Sequence, residues 1–92
     1  MKYITLLNLT PKGREHLPEA KDILLKMTGV AEQFGGKVES VWATVGHYDF
    51  IAVAEYATPE DAFRARVKLA ELGYFLLEGL EAFDMEFFLT TV

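Results

Sequence analysis

Cysteine is absent from this chain of 92 residues, so it has neither a disulfide framework nor a thiolate metal site, and it suits a reducing compartment. Positive charge is scarce: nine Lys and Arg stand against fourteen Asp and Glu, a net charge of −5. A surface of that sign repels a phosphate backbone, which excludes nucleic acid as an expected partner. No apolar run approaches the roughly 20 residues that a membrane span needs. The opening stretch, MKYITLLNLTPKG, holds a short apolar run broken by Asn8 and lacks a small-residue cleavage site, so a cytoplasmic protein without membrane attachment is expected. The two histidines lie far apart in the chain without spaced acidic partners, which gives no metal site. Glycine-rich phosphate loops, nucleophile elbows and nucleotide fingerprints are also missing, and no cofactor is expected.

What is present is apolar surface, 51% of the residues, concentrated first in Lys37–Tyr56, KVESVWATVGHYDFIAVAEY. This stretch reads as a β-hairpin folded around Gly46-His47, with glycine at the first central position of a type II′ turn. That loop length sets a register in which Val45 opposes Tyr48, Thr44 opposes Asp49, Ala43 opposes Phe50 and Trp42 opposes Ile51. Alternation then puts Val41, Ala43, Val45, Tyr48, Phe50, Ala52 and Ala54 on one face. Ser40, Trp42, Thr44, Asp49, Ile51 and Val53 fall on the other. A solvated sheet face shows a polar residue at every second place, and neither face does so. Both faces therefore need cover: helices of the chain on one, and a second subunit or layer on the other. A chain of this size buries only about 60–65% of its unfolded surface, which also favours an oligomer.

Before the hairpin, Lys2–Leu9 reads as a strand, and Thr10-Pro11 as a helix cap followed by proline at the first helical position. Pro18 restarts a longer helix reaching Phe34, with Ala20, Ile23, Leu24, Met27, Val30, Ala31 and Phe34 on one stripe and Gly35 as its left-handed cap. After the hairpin, Thr58-Pro59-Glu60-Asp61 starts a helix running to Leu72 and closed by Gly73. Its apolar positions are Ala62, Phe63, Ala65, Val67, Leu69, Ala70 and Leu72. Tyr74–Phe83 is a fourth strand. Met85–Val92 is apolar enough for a further short strand or a tail packed on a partner. Residues 1–92 thus form a single α+β domain in the order β-α-β-β-α-β, the ferredoxin-like plan, with two helices on one sheet face. An apolar open face predicts sheets paired face to face in a dimeric α/β barrel, a homodimer or higher oligomer.

Leu6-Leu7-Asn8-Leu9-Thr10 with Gly13, Gly35-Gly36-Lys37-Val38, Gly46-His47-Tyr48-Asp49, and Gly73 with Ala82-Phe83 form an ordered set over nearly the whole chain. In this set the chain resembles the GYD family, small bacterial and archaeal proteins named for a Gly-Tyr-Asp signature. The resemblance implies a dimeric α/β-barrel fold and carries no settled activity. The Gly-x-Tyr-Asp turn is also similar to one in the ligand-sensing domain of leucine-responsive regulators, which bind amino acids between paired ferredoxin-like subunits. Without a helix-turn-helix ahead of that domain, the likeness implies a stand-alone sensing module and not a DNA-binding regulator.

The residues that suggest chemistry gather near the turn. Asp49 is either a carboxylate that pins the hairpin by local hydrogen bonds or a partly desolvated base or amine anchor at a barrel mouth. His47 is an exposed turn residue, or a proton-transfer partner if it folds back over Asp49. His16, near the start of the long helix, is the other acid–base candidate. Trp42 is dimer core or the aromatic wall of a ligand pocket, with Thr44, Tyr48, Asp49 and Ile51 beside it. The expected function is a small-molecule binding or sensing module, its ligand held between paired sheets. The alternative is a cofactor-independent enzyme, monooxygenase-like or isomerase-like, in which Asp49, His47 or His16 abstracts a proton in the barrel cavity.

Overall fold

The sheet is built outward from β1 (Lys2–Leu9), which pairs antiparallel with both β3 (Phe50–Glu55) and β4 (Phe75–Ala82). Strand β2 (Lys37–Ala43) joins the outer side of β3, giving the order β2-β3-β1-β4. This computed structural model describes residues 1–92. Three segments cross over the sheet on one side: α1 (Pro11–Glu15), α2 (Ala20–Gln33) and α3 (Pro59–Glu71). The chain is therefore α+β with ferredoxin-like topology. No helix is long and apolar enough to cross a membrane.

The helix boundaries follow the capping chemistry. Thr10 caps α1 by accepting from the Gly13 N–H, and Thr58 caps α3 by accepting from the Asp61 N–H, each followed by proline where no donor is lost. Gly35 and Gly73 take the left-handed conformation past the ends of α2 and α3, at φ of 77° and 81°. Pro18 sits in a separate 3₁₀ turn, Leu17–Glu19, and the α-helix proper begins at Ala20. Ala20, Ile23, Leu24, Met27 and Ala31 of the expected stripe face the sheet. On α3, Ala62, Ala65 and Leu69 turn inward, whereas Phe63 and Val67 point to solvent, so that stripe is narrower than its composition suggested.

The hairpin keeps its register where it is strand: Ala43 opposes Phe50 and Trp42 opposes Ile51. A bulge at Glu39 shifts the pairing between Val38 and Ser40. The turn, however, is not a two-residue type II′ turn. The ladder stops at Ala43 and Phe50, and 44–49 form a wider loop with Gly46 at φ 149°, outside the conformation that turn requires. The cause is competition from β1. The Asp49 N–H donates to the Leu7 carbonyl at 2.9 Å, and the Thr44 hydroxyl donates to the Tyr48 carbonyl at 2.5 Å. The Thr44 N–H to Asp49 carbonyl bond, 2.9 Å, closes this wider loop in place of the Val45–Tyr48 pair of a tight turn. Tyr48 consequently leaves the face shared with Phe50 and reaches Glu78, which alternates with helix-facing Leu77 and so belongs to the open side.

The C-terminal stretch is neither strand nor extended tail. Asp84 accepts from the Phe87 N–H and caps a short helix, α4 (Met85–Thr91). The apolar core sits at one end of the layer between helices and sheet, where Ala31, Ala54, Tyr56 and Ala65 meet. It is thin: eight of 92 residues are buried, and no large side chain is fully so. Small residues on both layers leave the rest of that layer unfilled.

Candidate functional site

The unfilled part of the layer is a cavity of about 370 Å³ between α1, the 3₁₀ turn and α2 above and the helix-facing side of the sheet below. Leu7, Val41, Phe50, Ala52, Phe75 and Leu77 form its floor, and Leu17, Ile23, Leu24 and Met27 its roof. The alanines at positions 20, 31, 52 and 54 explain the space, because each places a methyl group where a leucine would fill the layer. The walls are overwhelmingly apolar, interrupted by Thr5, Thr28, Tyr56, Tyr74, His16 and Lys21. The side-chain hydroxyls of Thr5, Tyr56 and Tyr74 make no hydrogen bond within the chain, yet none is sealed from solvent without a partner. Burial pushes the Tyr56 phenol above its ordinary pKa, so it stays a neutral donor at physiological pH. His16 packs edge-on to Tyr74 with ring centres 5.8 Å apart, and its Nδ1 lies 3.9 Å from Glu19.

Of the residues singled out from the sequence, only His16 reaches this cavity. Trp42 and Ile51 pair on the opposite side of the sheet, where Trp42 is 62% exposed. Thr44 is engaged with the Tyr48 carbonyl, and the Tyr48 hydroxyl donates to Glu78 at 2.5 Å. That bond, more than partial burial or the neighbouring charge, raises the Tyr48 pKa. His47 is exposed in the loop and pairs with nothing. Asp49 Oδ2 accepts from the Leu9 N–H at 2.9 Å, while the Asp49 N–H is shared between the Leu7 carbonyl and Asn8 Oδ1 at 3.1 Å. The carboxylate thus stands in for a strand carbonyl and carries the β1–β3 ladder one bond further. No Asp49–His47 or Asp49–His16 pair forms.

The signature residues share one purpose at this end of the sheet. The Thr10 hydroxyl donates to the Gly73 carbonyl at 2.5 Å, and the Thr10 N–H to the Tyr74 carbonyl at 3.1 Å. Gly13 is packed so tightly that an added Cβ would lie 2.1 Å from the Tyr74 carbonyl oxygen. Asn8, Leu9, Thr10, Gly13, Asp49 and Gly73 therefore lock this end of the sheet together, and of them Leu9 and Gly13 line the cavity beside His16 and Tyr74. At the far end, a Cβ on Gly36 would lie 2.4 Å from the Tyr56 ring, which keeps that ring flat against the core.

Thr5, Tyr56 and Tyr74 were not singled out by sequence reasoning. The usable signal was the contrast along β1: Thr5 shares a side with Tyr3, Leu7 and Leu9, opposite alanines, where a hydroxyl has no reason to be unless space adjoins it.

The open side of the sheet is a second feature. Ile4, Leu6, Trp42, Ile51, Val53, Leu76 and Leu80 lie there, and Trp42, Leu76 and Leu80 are 62%, 68% and 45% exposed. Tyr48 and Glu78 edge it with a polar pair.

A family model described as GYD domain matches residues 3–92. Among solved structures, the crystal structure of FFRP-DM1 is similar at a TM-score of 0.64 and 18% identity, covering 89% of this chain and 97% of that one. At that identity the likeness concerns the fold. No curated protein matches the chain.

Proposed function

The chain belongs to the GYD domain family, and on that footing we propose that it is a homodimeric small-molecule binding or sensing module. The observation that carries this reading is the cavity beside α2: about 370 Å³, apolar, lined in part by Leu7, Leu9, Gly13 and Val38 of the signature set, and holding unpartnered hydroxyls. Ligand pockets are concave, about 300–1,000 Å³, mostly apolar, with a few polar groups that fix orientation. The ligand that suits these walls is a small organic acid with an aromatic or branched aliphatic body. Its body would lie over Ala52 and Leu7, its hydroxyl or carbonyl groups would meet Thr5 and Tyr56, and its carboxylate would face Lys21 and His16. Pairing through the open sheet face supplies the second half of the molecule, since a thin core beside an exposed apolar sheet is unlike a self-sufficient monomer.

The same geometry weighs against cofactor-independent proton abstraction. Asp49 is held on a backbone amide and His47 lies away from the cavity. Only His16 remains as a base, and the carboxylate it pairs with is Glu19, 3.9 Å away.

Heteronuclear NMR with a panel of small aromatic and branched aliphatic carboxylic acids tests the reading. Saturable shifts should cluster at Thr5, Leu7, Ala20, Met27 and Ala52, and Ala52→Phe should abolish them in a chain whose spectrum stays dispersed. Shifts confined to Trp42, Leu76 and Leu80, or no saturable shifts, would refute a ligand in the helix-side cavity.

A further inference from the structure

The last ten residues are difficult to account for in a single copy. Every hydrogen bond that residues 83–92 make stays inside the segment, among them the Phe87 N–H to Asp84, the Phe88 N–H to the Asp84 carbonyl, the Val92 N–H to the Phe88 carbonyl, and the Thr90 and Thr91 hydroxyls to the Phe87 carbonyl. Its one aromatic contact is also internal, Phe83 stacked on Phe87 at 5.2 Å. Helix α4 has seven residues, and an isolated helix shorter than about 12–15 residues is marginal in water. A helix of this length therefore requires something to pack against. The molecule is drawn out accordingly, 46 Å along its longest axis with a radius of gyration of 13.8 Å. A compact chain of this length would measure about 12 Å.

We infer that α4 is an interchain clasp, seated on the exposed sheet face of a second copy. This rests on the face-to-face pairing proposed above and adds to it a named segment. Area is the first argument. Phe83, Met85, Phe87, Phe88, Leu89 and Val92 are 53–87% exposed. With a large aromatic side chain presenting about 150–250 Å² and the aliphatic ones somewhat less, they offer on the order of 600–900 Å². A stable interface takes about 800 Å² from each partner, a requirement that α4 together with Trp42, Leu76 and Leu80 meets. Complementarity is the second argument. Each copy carries both a projecting apolar segment and an uncovered apolar sheet, and an isologous pair covers both twice over. Charge argues against a lipid surface: residues 83–92 hold Asp84 and Glu86 and no basic group, on a chain of net charge −5, where interfacial helices are rich in Lys and Arg.

The test pairs hydrogen exchange with sedimentation on the full chain, wild type and Phe87→Asp/Phe88→Asp. In the wild type, amides 88–92 should exchange about tenfold or more slower than in a free peptide of the same sequence, and the protection should fade as dilution separates the copies. The double variant should lose that protection and dissociate at a concentration at least about tenfold higher than the wild type does, with the exchange of β1 and β3 unchanged. A stable dimer whose residues 88–92 exchange like the free peptide would overturn the clasp and leave the sheet pairing standing. A monomer at every concentration would overturn both, and protection that persists in a monomer would show that α4 docks on its own chain.

Discussion

Asp49 shows how one side chain can replace a turn. Its Oδ2 takes the Leu9 N–H that would otherwise face the end of the sheet without a strand partner, and its own N–H is held by Leu7 and Asn8. Removing the acceptor leaves a part-buried donor unsatisfied, so Asp49→Ala should lower stability by about 1–2 kcal/mol. Asp49→Asn, which keeps an oxygen in place, should cost less than half of that. Urea unfolding of the three proteins, compared at constant m value, measures it. Equal losses in both variants would mean that charge and not the amide bond carries the effect. The role was partly legible in the sequence, because Asp beside a glycine turn commonly bonds local backbone. Its partner was not legible. The hairpin reading offered Thr44 across the turn, whereas the amide belongs to β1, forty residues earlier, and only the tertiary fold brings that donor near.

At the scale of elements, the strands and helix caps were legible because their signals are local: alternation, Thr-Pro starts and glycine ends. The loop 44–49 and α4 were not. A two-residue turn and a six-residue loop share the same glycine, and what separates them is the pull of β1 on Asp49. Residues 85–92 are apolar at enough positions to read as a strand, and the Asp84 cap that turns them into a helix is a single residue. The junction of β3 with the segment after it offers a pH test. Tyr56, which follows β3, is 7% exposed, and its phenol is held above the ordinary value of 10.0 by burial. A group whose pKa is raised on folding contributes stability that is fully present below the unfolded value and is lost as pH rises through the folded one. Melting temperature should therefore hold to about pH 10 and fall beyond it. Tyr56→Phe, which removes a hydroxyl without a partner, should melt close to the wild type at pH 7 and show a shallower fall in the alkaline range. Identical alkaline slopes would exclude Tyr56 as the group responsible.

As a whole molecule, the chain has two apolar deficits on opposite sides of one sheet. The helix side lacks bulk and leaves a cavity, and the open side lacks a cover. The second deficit was readable from the sequence, since alternation without polar residues signals a sheet buried on both faces. The first was not: counting apolar positions on a helix stripe says which residues face inward, not whether their volumes fill the space. Alanine at four positions around the cavity decides that, and its effect emerges only when the layers are brought together. For the same reason the expected ligand residues, Trp42 with Thr44, Tyr48, Asp49 and Ile51, lie along the open face and its turn, away from the cavity.

The central claim is that this open face is an interface around which a binding module is completed. The most direct measurement is molar mass in solution by light scattering, wild type beside Trp42→Arg. Trp42 projects from the edge strand β2 on that face with 62% of its surface exposed, and in the paired sheets a guanidinium there would have to be buried without a partner. The wild type should have twice the 10.4 kDa of one chain or a higher even multiple, and Trp42→Arg should fall to 10.4 kDa while keeping its circular dichroism. A wild-type monomer, or a variant of unchanged mass, would contradict the pairing of sheets.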